Sequence, residues 1–136
     1  TMSYPAMKEA EVDVRLGTDG SASNNSLDMR AEAKAASLVQ KHDHWNARVL
    51  GPEETWQLAT KDSIDWVTWD LDDIRMRPRG RDGRRLLSNL IYSGARCLDV
   101  IVGGEALRRD GVTLTVDEGS AGSELEEAVS QYYSEI

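Results

Sequence analysis

Cysteine occurs once in this chain, at Cys97, so no internal disulfide can form and no cysteine-built zinc site can be assembled. The lone thiol reads as a small buried apolar residue rather than a reactive nucleophile. Long apolar runs are missing as well. No window approaches the roughly 20 residues that a membrane-crossing helix needs, and Thr1-Met2-Ser3-Tyr4-Pro5 has neither the basic flank nor the apolar run of a secretory signal. The expectation is a cytoplasmic protein with no membrane partner. Positive charge is the third scarcity: 16 Lys and Arg face 24 Asp and Glu, a net charge of −8, and most of the cations are arginine. Long-range repulsion then disfavours nucleic acid and anionic membranes as general partners. An acid-rich, lysine-poor surface suits concentrated salt, where screening relieves its self-repulsion. Internal repeats and low-complexity tracts are absent too.

What is present suits one domain with a modest core, 136 residues of which 40% are apolar. Val12-Asp13-Val14-Arg15-Leu16 alternates apolar and polar residues and stops at Gly17, which predicts a short strand entering a loop. From Leu27 to about Gln40, Leu27, Ala31, Ala35 and Leu38 recur at helical spacing, with Asp28 in the first turn where negative charge is favoured. Gly51-Pro52-Glu53-Glu54 opens a second helix, with Trp56 and Ala59 on one face. Ile64-Asp65-Trp66-Val67-Thr68-Trp69-Asp70-Leu71 has the β-branched and aromatic content of a strand buried on at least one face. Segments 98–102, 105–109 and 112–116 are separated by Gly103-Gly104 and Asp110-Gly111, pairs that accept the positive φ of tight hairpins, so an antiparallel meander is expected. Ser123 and Glu126 form a capping-box pattern ahead of Leu125, Val129 and Tyr132, predicting a last helix. The four tryptophans read as core or covered-edge residues.

Chemistry concentrates at the 17–29 loop. Asp19, flanked by Gly17 and Gly20 at a strand end, can face a cleft and there ligate a metal or move a proton, although Thr-Asp-Gly is also ordinary turn sequence. His42-Asp43-His44 imitates a metal-binding pair, but it follows a helix and lacks the apolar strand that would aim both imidazoles at one ion; solvated loop histidines are expected. Arg75, Arg77, Arg79, Arg81, Arg84 and Arg85, spaced by Pro78, Gly80 and Gly83, make the basic cluster. Such a loop could hold a polyanion, yet the acidic remainder and the lack of interleaved aromatics favour solvated or ion-paired arginines.

The run Leu16-Gly17-Thr18-Asp19-Gly20-Ser21-Ala22-Ser23-Asn24-Asn25-Ser26-Leu27-Asp28-Met29 resembles the last barrel strand and following loop of the amidohydrolase superfamily, in the branch of methylthioadenosine and S-adenosylhomocysteine deaminases and triazine hydrolases. The likeness continues through 32–38, Pro52-Glu53-Glu54, Leu58-Ala59-Thr60, Trp69-Asp70-Leu71-Asp72, Asn89-Leu90-Ile91-Tyr92-Ser93, 99–104 and Arg109-Asp110-Gly111. Nearly the whole chain is covered, as the carboxy-terminal portion of such an enzyme, with an internal deletion after Thr60. A complete eight-stranded barrel takes about 250 residues, so only its edge can be present. The resemblance implies a mixed α+β fold: a partial α/β-barrel edge of one strand plus helices (1–62), then a small antiparallel β meander with a C-terminal helix (63–136).

It also implies hydrolytic deamination of aminopurine-type compounds with zinc or a similar divalent ion as cofactor. Asp19 matches the family's strand-end aspartate, which touches the metal or its hydroxide and relays a proton, and Gly20, Ser21, Ser23, Asn24 and Asn25 would line the substrate side. The family's metal-site histidines and general-acid glutamate have no counterpart here. One carboxylate cannot hold a catalytic zinc. The chain alone is therefore expected to be inactive, with Asp19 a metal ligand only beside ligands from another chain. Partners expected are a second copy or a separately encoded barrel portion. The alternatives are an oligomerising interaction or scaffold protein that has lost catalysis, and polyanion binding by the Arg75 to Arg85 loop.

Overall fold

The computed structural model describes residues 2–81 and 83–134, apart from the side chains at 83 and 84. The chain divides into two compact units, Thr1–Ser63 with Leu71–Ala95, and Ile64–Asp70 with Arg96–Ile136.

The first unit is helical. Helix α1 (Tyr4–Glu9) was not foreseen; Pro5 sits in its first turn, where no amide donor is required. Gln40 fastens it, accepting from the Tyr4 amide at 2.9 Å and donating to the Met2 carbonyl at 2.7 Å. A single turn, α2 (Ser21–Asn24), precedes α3 (Met29–Asp43). Asp28 is the N-cap of α3, accepting from the amides of Arg30 and Ala31, which moves the start two residues past Leu27. The buried face of α3 is Ala33, Ser37 and Gln40, while Leu27 and Leu38 are exposed. The predicted face is thus displaced, because the core beside α3 is partly polar. Helix α4 (Pro52–Thr60) begins at its proline as expected, and α5 (Gly83–Tyr92) packs against both α3 and α4.

A chain of hydroxyls joins these helices. Tyr92 Oη lies 2.7 Å from Ser37 Oγ, Ser37 donates to the Leu50 carbonyl at 2.8 Å, and Thr55 Oγ1 is 3.1 Å from the same oxygen. Ser37 and Thr55 are completely buried, so these bonds replace the water their hydroxyls have lost. Apolar filling comes from Leu50, Met76, Leu90 and Ile91.

Residues 12–16 correct the sequence reading. They join no sheet; their backbone ties are from the Val12 amide to the Met7 carbonyl and from the Leu16 amide to the Leu58 carbonyl. A strand exists only beside a neighbour about 4.8 Å away, and the sheet among the described residues lies wholly in the other unit.

That unit carries an antiparallel sheet in the order β1 (Trp66–Trp69), β2 (Cys97–Val102), β3 (Glu105–Arg109), β4 (Val112–Thr113). The meander is as predicted, and the 64–71 strand joins its edge. Val102 opposes Glu105 and Arg109 opposes Val112, leaving two-residue turns. Gly103 and Gly104 have φ of 57° and 87°, Asp110 and Gly111 of 50° and 82°, the left-handed pairs that match strand twist. Trp66 stands on the edge strand and is 53% exposed, so the expected burial of this strand is only partial. Trp45 in the helical unit is 88% exposed, which corrects the core assignment; it sits at φ 47° just past α3, with its ring against His42. Trp56 and Trp69 are half-buried.

Helix α6 (Glu118–Ser134) begins five residues ahead of Ser123. Asp117 takes the capping role, accepting from the amides of Gly119 and Ser120, while Ser123 lies inside the helix and donates to the Gly119 carbonyl. The predicted capping box therefore does not form. Every described residue of α6 is exposed. None of the described helices is long and apolar enough to cross a membrane.

Candidate functional site

Asp19 ends the unpaired 12–20 segment, exposed, with φ of 57°. A non-glycine residue in this left-handed region costs about 1–2 kcal/mol and holds its place only when its surroundings fix it. Gly20 follows as the N-cap of α2, with extended backbone and no side chain to crowd the turn. Its carbonyl accepts from the amides of Ser23 and Asn24 and from Ser23 Oγ. The Ser21 carbonyl accepts from the amide of Asn25, which closes α2 at φ 57°.

Asn24 is the residue that ties this loop to the rest of the unit. Its Nδ2 donates to the Thr18 carbonyl at 2.9 Å and to Glu32 Oε1 at 2.7 Å. Glu32 lies in the first turn of α3, where the helix dipole favours its charge. Asp28 caps that turn and also pairs with Arg30 at 2.9 Å. The loop residues predicted from sequence thus gather around α2, with Asp19 and Asn24 linked through Thr18. In the sequence, Glu32 stands out only as part of the 32–38 stretch that resembles the family. Its signal was an acid in the first turn of the helix that follows the loop, which by itself reads as a helix-dipole partner.

Other predicted residues lie elsewhere. His42 falls in the last turn of α3, not in a loop, its ring centroid 5.5 Å from that of Trp45, and His44 Nε2 is 3.3 Å from Ser3 Oγ. Glu32, where the Asp19 loop is tied to α3, and His42 are ten residues apart along that helix, about 15 Å at 1.5 Å each. In the arginine loop, Arg75 pairs with Asp73, and Arg77 and Arg79 both pair with Asp72. The Asp73 hydrogen bond holds Arg75 above its usual range. Arg81 and Arg85 are exposed, and the Arg84 side chain lies outside the described residues. Cys97 is half-buried, and burial pushes its thiol up, which keeps it protonated.

A groove of about 380 Å³ lies at the other end of the 12–20 segment, between α1 and α4, lined among others by Tyr4, Val12, Val14 and Leu58. Burial, and then the Glu54 carboxylate, push the Tyr4 phenol there up to about 12. Asp19 is not in its lining.

The donor set does not fit a catalytic zinc. Such an ion takes three protein ligands and an open position, and among the described residues no three His, Cys, Asp or Glu side chains stand close enough to hold a metal.

The 5-methylthioadenosine/S-adenosylhomocysteine deaminase 1 of Archaeoglobus fulgidus is 38% identical over 133 residues, covering 85% of this chain and 31% of the relative. The 5'-deoxyadenosine deaminase of Methanocaldococcus jannaschii is 31% identical over 140 residues, covering 90% of this chain and 32% of its own. Over most of its own length the chain is similar to enzymes named as deaminases of methylthioadenosine, S-adenosylhomocysteine and 5'-deoxyadenosine. It spans about a third of the length of the curated relatives it matches. Among solved structures, a zinc-bound adenosine deaminase from Xanthomonas campestris superposes with a TM-score of 0.80 at 23% identity, over 95% of this chain and 33% of that one. An amidohydrolase from a Sargasso Sea sample gives 0.69 at 21% identity, over 98% and 34%. No family model matches the sequence. The mixed helix and sheet fold of these solved structures is therefore present over nearly the whole chain, while the described residues bring no three metal-ligating side chains together.

Proposed function

We propose that this chain is the strand-end carboxylate portion of a metal-dependent deaminase acting on adenosine derivatives, and that it is inactive until other polypeptide supplies the missing ligands. The observation that carries this reading is the placement of Asp19 at the mouth of the 12–20 segment, in a chain whose relatives are named deaminases of methylthioadenosine, S-adenosylhomocysteine and 5'-deoxyadenosine. The role assigned to Asp19 is that of an exposed carboxylate able to accept a proton and pass it to a leaving amine. Ser21, Ser23, Asn24 and Asn25 supply hydroxyl and amide groups beside it. Zinc or a similar divalent ion is the cofactor of the assembled enzyme in this reading, with Asp19 one of several ligands.

The test pairs metal analysis with ammonia release from methylthioadenosine and S-adenosylhomocysteine. The chain by itself should carry no stoichiometric zinc and release no ammonia; mixed with the amino-terminal two thirds of the Archaeoglobus relative, both should appear, and Asp19→Asn should abolish the activity. Zinc and turnover in the isolated chain would overturn the need for a partner. A mixture that binds tightly but neither holds zinc nor turns over would favour a scaffold that has lost catalysis, the reading supported by the exposed Leu125, Tyr132 and Tyr133 of α6. Polyanion binding has less support, since Arg75, Arg77 and Arg79 already face their own aspartates.

A further inference from the structure

We infer that Asn24 and Glu32 are positioning residues for Asp19, acting through the Thr18 carbonyl; this rests on the deaminase reading, in which Asp19 moves the proton. The peptide linking Thr18 to Asp19 is planar, so the direction of the Thr18 carbonyl fixes the orientation of the plane from which φ of Asp19 is measured. That carbonyl is held by Asn24 Nδ2 at 2.9 Å. The same nitrogen donates to Glu32 Oε1 at 2.7 Å, so one rigid amide uses both of its protons to brace the loop against α3.

The bond to Glu32 has an ionised acceptor and is the stronger kind. Both ends of the brace are fixed. The Asn24 amide donates to the Gly20 carbonyl, and the Glu32 amide to the Asp28 carbonyl in the capped first turn. Thr18, Asn24 and Glu32 are all half-buried, whereas Asp19 is exposed. The brace is therefore less accessible than the carboxylate it supports, which stays open to a substrate. A misplacement of about 1 Å in a reacting group can cost on the order of 100-fold in rate, which is why an exposed proton-transfer group at a left-handed φ requires such support.

The experiment uses backbone NMR and amide exchange on the full chain, with Asn24→Ala, Glu32→Ala, Glu32→Gln and the double alanine variant. Loss of either partner should speed exchange of the Ser23 and Asn25 amides about tenfold, the equivalent of roughly one hydrogen bond. The HN–Hα coupling of Asp19 should also move away from its left-handed value. Glu32→Gln keeps an acceptor oxygen while removing the charge, so it should fall between wild type and Glu32→Ala. The double variant should be no worse than either single one. Unmoved amide signals of Leu90 and Ile91 will show that the helical unit remains folded.

A Glu32→Ala variant with undisturbed Asp19 signals would overturn the inference. So would Glu32→Gln matching Glu32→Ala, because Glu32 would then act only as a charge on the helix dipole. Neither readout depends on turnover, so failure of the deaminase reading in the assay above leaves this outcome separately decided.

Discussion

Gly94 carries a requirement that its neighbours do not. It sits at φ 83° and ends α5, its amide donating to the carbonyls of Asn89 and Leu90. A Cβ added there would meet Arg30 Cζ at 3.2 Å. The left-handed backbone costs a non-glycine residue about 1–2 kcal/mol, and the guanidinium of Arg30 would also have to shift. Gly94→Ala should therefore lower stability by about 1–2 kcal/mol in denaturant melts. A variant as stable as wild type would mean that Arg30 and the helix end adjust without strain. By contrast, a Cβ at Gly17 meets nothing within 4 Å, so the glycine ahead of Asp19 is not demanded by packing within this chain.

At the scale of elements, Asp99 pins the sheet. Its Oδ2 accepts from Thr68 Oγ1 of β1 at 2.7 Å, its Oδ1 accepts from the Asp110 amide in the turn after β3 at 3.0 Å, and its own amide donates back to Thr68 Oγ1. The Thr68 bond first, and then the Asp110 amide, hold this carboxyl below the usual range. A carboxyl depressed by folding stabilises the folded form above its unfolded pKa, about 3.9, and loses that contribution as pH falls through the folded value. Asp99→Asn keeps an acceptor but cannot titrate. It should be less stable than wild type at pH 7, with the gap in melting temperature closing as the pH drops below about 4. A gap that stays constant with pH would assign the effect to packing. The two hairpin turns of this sheet were legible because Gly103-Gly104 and Asp110-Gly111 name their own backbone conformation. Residues 12–16 alternate in the same way and yet form no strand, because alternation specifies a face but not the neighbour that must lie beside it. The first turn of α3 was visible in Asp28, whereas its buried face was not, since Ser37, Gln40 and Thr55 make a polar core that hydrophobic spacing cannot register. Helix α5 escaped notice because the arginine-rich stretch ahead of Leu86 and Leu87 reads as loop. Asp19 and Asn24 were found as members of one loop, but their brace to Glu32 depends on chain closure across α2.

The whole molecule combines a net charge of −8 with large apolar side chains left in solvent. Ile64 and Ile74 are exposed, as are Leu125, Tyr132 and Tyr133 on α6, and the 12–16 backbone has no ladder partner. Exposed apolar area and unpaired edges favour association, while like charge on every copy opposes it. Salt decides between them. At low ionic strength the repulsion reaches tens of ångströms, and near 1 M it fades within about 3 Å, whereas the apolar contribution is not weakened by screening. The mass measured by light scattering should therefore rise from low to molar salt toward a dimer or larger assembly, and the melting temperature should rise with it. Surface ion pairs such as Arg15 with Asp62 weaken under the same conditions, but exposed pairs contribute little, so they should not reverse the trend. A compact monomer at every salt concentration would show that the exposed apolar residues do not bind a second copy. A melting temperature that stays flat as the salt is raised would show that self-repulsion does not limit the fold. If the mass stays monomeric while the melting temperature climbs, screening stabilises the fold itself, and the apolar surface is left to a partner of different sequence, such as the barrel portion that the deaminase reading requires.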